Sequence, residues 1–224
     1  MAATSVPSAV FDSLPPMVKM LPTKYPPPWV DWNAGSNGDK FAGSRARASD
    51  IAFYAYGYPR VRIRFAPPEP TNRYDFIATL PHGSAEALQR ELRAKLGLVG
   101  RPVTENRDVL LLKVVHPNAP GLKPPIPEKT DNYWNRGIYR ASNATIGADG
   151  ANFEGLTHFL EEYFDSPIID QTGLIQHYSL ELKWRAERGH PNLEGLKQVL
   201  LDQLGLELVP TNRPVEILVM EKVP

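Results

Sequence analysis

The sequence predicts an α+β fold made of two related strand–helix–β-hairpin halves, each a small antiparallel or mixed sheet covered by helices. Three observations predict it. A fifteen-residue helical pattern occurs twice, an alternating strand precedes each copy, and apolar runs parted by a polar cluster follow each copy.

The helices carry the clearest signal. From Ser84 the chain reads SAEALQRELRAKLGL, and from Asn192 it reads NLEGLKQVLLDQLGL. One offset of 108 residues relates both ends (84 to 192, 98 to 206). Six of the fifteen positions are identical: Glu86/Glu194, Leu88/Leu196, Leu92/Leu200, Leu96/Leu204, Gly97/Gly205 and Leu98/Leu206. Leucine every fourth residue gives one apolar stripe on a helix, which here would pack on a sheet. Ser84 and Asn192 are expected N-caps, since a side-chain oxygen there accepts orphan helix N–H groups. Glu86 and Glu194 place negative charge at the positive end of the helix dipole. Gly97 and Gly205 stand where a left-handed stop is wanted.

The other elements follow in order. Residues 1–40 read as a proline-rich arm, because Pro15-Pro16, Pro22 and Pro26-Pro27-Pro28 favour extended polyproline backbone. Its Trp29 and Trp32 would either seat the arm in surface grooves or dock a partner. The first half spans residues 41–115. In it, Ser49 or Asp50 is expected to cap a short helix Ile51–Tyr56 that Gly57 stops. Tyr74, Phe76, Ala78 and Leu80 alternate along a half-buried strand before the first leucine helix. The cluster Asn106-Arg107-Asp108 then reads as the turn of a hairpin that returns through Val109–Val115. Residues 116–144, rich in Pro and Asn and without periodicity, form a connector that carries Trp134. The second half, 145–224, repeats the plan. Asn152 caps Phe153–Phe164; Tyr178, Leu180, Leu182 and Trp184 alternate; Asn212-Arg213-Pro214 reads as a second hairpin turn.

Bulk composition narrows the function classes. The chain has 224 residues, 42% of them apolar, enough for a sizeable core without disulfides. Lys plus Arg and Asp plus Glu both number 25, and zero net charge argues against a nucleic-acid partner. No apolar run is long enough to span a bilayer. The absence of cysteine removes thiol catalysis and cysteine-ligated zinc. It suits the cytoplasm and equally an oxidising envelope. No secretory apolar segment stands at the N-terminus, so a periplasmic or secreted form would need a leader ahead of Met1.

Two stretches, Pro167-Ile-Ile-Asp-Gln-Thr-Gly-Leu174 with Tyr178–Trp184, and Leu200–Val219, carry a resemblance. With them, Ala42–Pro124 and Phe153–Val223 resemble a family of soil-associated bacterial proteins catalogued as a domain of unknown function. Members of that family look like exported proteins. Some join the domain to a thioredoxin-like domain or to an antirepressor-type membrane metallopeptidase. The resemblance supplies no catalytic residues. Each half is also similar to the short N-terminal domains of secretins and TonB-dependent receptors, which implies binding or signalling in the bacterial envelope by analogy alone.

The search for chemistry finds no complete constellation. Asp170, Thr172 and Gly173 suggest an aspartic-protease loop, but Gln171 separates Asp170 from Thr172-Gly173 and the first half offers no second such carboxylate. The expectation is a structural turn in which Asp170 and Thr172 bond their own backbone. His158 and Glu161 stand one helical turn apart, but a zinc peptidase helix needs a second histidine. His82, His116, His177 and His190 lack ligand spacing. No nucleophile elbow, phosphate loop or dinucleotide fingerprint is present. No catalytic residue, metal or cofactor is therefore expected. Arg60, Arg62 and Arg64, alternating with Val61, Ile63 and Phe65, would line one face of a strand, with Arg45 and Arg47 nearby. Such a row would either grip carboxylates on an acidic ligand or stand as a solvated face that deters edge pairing. The sequence thus points to an extracytoplasmic, non-enzymatic module that binds an envelope protein or other envelope ligand. The alternatives are a hydrolase or carbohydrate-active protein using His158, Glu161 or Asp170 between the halves, and a sensor domain of a membrane signalling system.

Overall fold

The computed structural model describes residues 11, 13–24, 33–124, 138–141, 145–185 and 192–223. The fold is α+β, with helices set against small antiparallel and mixed sheets. The chain divides into two compact units, Met1–Thr104 with Glu216–Pro224, and Glu105–Val215.

The first unit contains β1 (Val18–Pro22), β2 (Asn33–Asn37), β3 (Lys40–Ala46) and α1 (Ala48–Tyr56). A 3-10 turn (Arg60–Arg62), β4 (Ile63–Phe65), β5 (Tyr74–Ala78), α2 (Ser84–Leu96) and the start of β6 (Leu98–Val114) follow. Strands β1, β5, β3 and β2 form an antiparallel sheet in that order. Part of the stretch read as an arm is therefore an edge strand, with Lys19 opposite Ile77 and Leu21 opposite Asp75. The reason is period two: Met20 is fully buried while its neighbours Lys19 and Leu21 are exposed. Met20 joins Ile51, Phe76, Leu88, Leu92 and Leu98 in one core, and each such leucine contributes about 1.5–3 kcal/mol by burial.

The second unit contains β7 (Ile138–Ala141), β8 (Thr145–Ala151), α3 (Phe153–Phe164), β9 (Ile168–Asp170), β10 (Tyr178–Lys183), α4 (Leu193–Leu204) and the start of β11 (Leu206–Lys222). Its sheet runs β10-β8-β7, again antiparallel. Strand β7 lies inside the stretch read as a connector. The core gathers Leu112, Leu156, Leu160, Leu182, Leu196 and Leu200. The leucine stripes of α2 and α4 thus do pack as their spacing predicts, with Leu96 half-buried and Leu204 fully buried.

The helix ends agree with the sequence in most places. Asn152 and Asn192 accept the N–H groups of Gly155 and Gly195 at 2.9 and 2.8 Å. Gly57, Gly97 and Gly205 close their helices at φ of 75°, 62° and 65°. Two caps differ. Helix α1 starts earlier, at Ala48, and Asp50 sits inside its first turn, accepting the Arg47 N–H at 2.8 Å. Helix α2 takes Gly83 as its cap residue, at φ 74°, and the Ser84 hydroxyl is buried, donating to the Leu80 carbonyl at 3.3 Å.

The expected hairpins do not form. Asn106-Arg107-Asp108 lies inside β6 and Asn212-Arg213-Pro214 inside β11, each a continuous strand of 17 residues. The apolar residues at the two ends of each strand explain this. On β6, Leu98 joins the core of the first unit and Leu112 that of the second; on β11, Leu206 and Leu208 join the second and Leu218 and Met220 the first. A hairpin would fold both ends into one core. The repeats consequently exchange strand ends. In the first unit the end of β11 pairs in parallel with β4, Leu218 beside Ile63, and Met220 accepts the Ala66 N–H at 2.8 Å. In the second unit the end of β6 pairs with β9 in the same register, Leu110 beside Ile168, and Leu112 accepts the Gln171 N–H at 2.9 Å. The division between units therefore falls inside both long strands.

Candidate functional site

The Asp170 turn forms as its residue types require. The Asp170 carboxylate accepts the Thr172 N–H at 2.8 Å and the Thr172 hydroxyl at 2.7 Å, and that hydroxyl accepts the Leu174 N–H at 3.1 Å. Gly173 follows at φ 66°. The Gln171 N–H bond to Leu112 ties this loop to β6. These contacts order the loop that carries Ile175, which is 92% exposed. They leave Asp170 with a structural task.

The arginine row is broken by backbone geometry. Arg60 and Arg62 lie in the 3-10 turn, and only Arg64 lies on strand β4, where it is exposed. Period-two alternation therefore does not hold across the three. Arg60 turns inward: its Nε meets the buried Asp50 carboxylate at 2.6 Å, and its guanidinium lies 5.0 Å from the Phe53 ring centre. Arg62 stands near Tyr58, whose hydroxyl donates to Glu216 at 2.5 Å. Burial first, and then the Glu216 carboxylate, push the Tyr58 phenol up to about 12. Arg45 occupies a bulge in β3 at φ 56°, its N–H bonded to Asp75 at 2.9 Å. Trp29, Trp32 and Trp134 lie outside the described residues, as does His190.

The three hydrolase candidates occupy different local settings. Glu161 is fully buried on α3 and accepts the Ile168 N–H at 2.8 Å, joining helix to strand β9. His158 is half-buried on the same helix, and Asp170 faces solvent in its own turn. Among the described residues, no three His, Asp or Glu side chains are grouped to hold a metal ion. None of the described helices is long and apolar enough to cross a membrane. One open concavity of about 380 Å³ lies between the His116–Pro120 loop and Leu201 and Asp202 of α4. Its walls combine Pro117, Ala119, Pro120 and Leu201 with the polar His116, Asn118 and Asp202.

A feature that residue patterns alone did not single out is the outer edge of β10. In the first unit the equivalent strand, β5, is covered by β1. On the outer edge of β10 the bridge seen among the described residues is Lys123 with Ser179, whose N–H groups and carbonyls exchange bonds of 3.1 and 2.9 Å. Gly121 then turns away, donating to Gln203 at 2.9 Å. Pro120 and Pro124 stand on either side of this segment and fix φ there, which limits the strand that the segment can form. The sequence signal was present in those prolines, which stand where the second repeat would need its own β1.

Across this architecture a family profile described as "Protein of unknown function (DUF3738)" matches residues 49–223. The chain belongs to that family. The DUF3738 match begins within α1 and ends just past β11, so it takes in both leucine helices and both long strands. The Asp170-Gln-Thr-Gly173 turn falls inside it. No curated protein matches the chain, and no solved structure matches it.

Proposed function

We propose that this DUF3738 chain is a non-enzymatic module that binds a protein ligand outside the cytoplasm, in the periplasm or after secretion. One observation carries the reading. Three carboxylates with the chemistry for catalysis are engaged with the protein's own framework: Asp50 with Arg47 and Arg60, Glu161 with Ile168, Asp170 with Thr172. Among the described residues, sheet-edge backbone and the exposed Ile175 face outward. Freedom from cysteine suits an oxidising compartment.

Two experiments in parallel test the reading: a thermal-shift screen against metals, sugars, peptidoglycan fragments and short peptides, and capture from envelope extract. A ligand at a hundred times its Kd adds about 2.7 kcal/mol of stability. That corresponds to a rise of about 5–10 °C for a chain of this size. The reading expects a protein to be captured, and the shift, if any, to come from peptides. Stabilisation by a metal or a sugar with no captured protein would overturn it.

A further inference from the structure

We infer that the outer edge of β10 is an acceptor for an extended peptide of another protein, which adds to the second sheet as an antiparallel strand where β1 adds to the first. The inference rests on the binding-module reading and specifies its site.

Repeat symmetry gives the geometry. The sheet orders β1-β5-β3-β2 and β10-β8-β7 match strand for strand, except that among the described residues the second shows no counterpart of β1. In the first unit the acceptor edge is used along its whole length. Thr23 donates to Arg73, Lys19 and Leu21 face Ile77 and Asp75, and Thr79 donates to Met17 at 2.8 Å. In the second unit the Lys123 bridge occupies one position, Ser179. Backbone groups of alternate residues face the same edge of an antiparallel strand, so Glu181 and Lys183 present theirs in line with Ser179. Among the described residues no strand lies against them. Beneath them Leu180 and Leu182 are buried and fix the strand in place.

Charge sets the occupant. Glu181 and Lys183 are 55% and 65% exposed and pair with each other at 3.1 Å. An exposed pair of this kind is weak and yields readily to opposite charges arriving from across the strand. Charges also guard such an edge against indiscriminate pairing. The complementary segment carries a basic residue opposite Glu181 and an acidic residue opposite Lys183. By the same register, Lys19 of β1 is the residue whose counterpart would face Glu181.

A synthetic peptide copying residues 16–22 with Met17→Glu supplies that pattern, and one carrying Met17→Lys and Lys19→Glu reverses it. Backbone amide resonances of the full chain are followed as each peptide is added. The first peptide is expected to shift Ser179, Glu181 and Lys183, and to bind about two- to fivefold more tightly than its reverse. Glu181→Pro removes one outward N–H without touching a bond to β8, and should weaken binding about tenfold at unchanged melting temperature. Should that variant not fold, the pair Glu181→Lys with Lys183→Glu keeps the backbone and is expected to invert the peptide preference. Shifts elsewhere on the chain with none on β10, or binding indifferent to these variants, would overturn the assignment. So would concentration-dependent dimerisation lost in Glu181→Pro, since a second copy would then fill the edge. If Glu181→Pro still captures a protein from envelope extract as wild type does, the edge assignment falls and the binding-module reading stands. If neither captures one, the broader reading falls.

Discussion

At Asp50 one carboxylate joins three segments of chain. It sits in the first turn of α1, accepts the Arg47 N–H, and takes the Arg60 guanidinium from the turn before β4, while remaining only 3% exposed. Removing one partner of a buried pair leaves the other desolvated and uncompensated. Asp50→Ala is therefore expected to lower stability by about 2–4 kcal/mol, read from urea unfolding. A loss under about 0.5 kcal/mol, the range of an ordinary surface substitution, would return Arg60 to the role of a surface grip. Tyr58 adds a pH dependence. Its phenol is raised from 10.0 to about 12, so the folded chain keeps a proton that the unfolded chain releases. That contribution is fully present below pH 10 and is lost as pH rises towards 12. Tyr58→Phe should flatten the fall in stability across this window and remove a phenolate absorbance step near pH 12. Loss of a step at or below pH 10 instead would contradict the raised phenol.

Among the elements, the two helix stops give an internal comparison. Gly97 and Gly205 adopt nearly the same left-handed backbone, φ 62° and 65°. A Cβ on Gly97 would meet nothing within 4 Å, whereas one on Gly205 would press on the His116 carbonyl and Cβ. The Gly205 carbonyl also accepts the Val115 and His116 N–H groups at 2.8 and 3.1 Å. Gly97→Ala should cost about 1–2 kcal/mol, the strain of the backbone alone. Gly205→Ala should cost clearly more, and equal shifts in melting temperature would contradict the close approach. These stops, the leucine stripes and the Asn caps were legible because helix signals are local: a cap, a spacing and a terminator lie within one short window. The strands were legible only in part. The middle of β6 from Pro102 to Asp108 alternates between exposed and half-buried residues, without a buried one. A strand segment with no core to face carries polar residues on both sides, and composition then resembles a turn. Pro214 strengthened that resemblance in β11, since proline is rare inside ladders.

For the whole molecule, what the sequence does not display is which repeat completes which unit. Parallel pairing of β4 with β11 and of β9 with β6 joins residues far apart in the chain, and no local pattern specifies it. The consequence is specific. Leu218, at the far end of the second repeat, is fully buried in the core with Ile51, Leu88 and Leu92. Truncating it leaves a cavity there, and Leu218→Ala is expected to cost about 2–5 kcal/mol. Within each unit the carboxylates serve local junctions: Asp50 holds Arg60 in the first, and Glu161 and Asp170 hold Ile168 and Thr172 in the second.

The most direct test of the account is hydrogen exchange on the full chain, comparing wild type with Leu218→Ala. Exchanged strand ends require protection to fall in α1, α2 and β5 of the first unit, with α3 and β8 of the second retaining theirs. Protection lost in α3 and β8 while α1 and α2 stay protected would mean that the end of β11 belongs with its own repeat, and would contradict it.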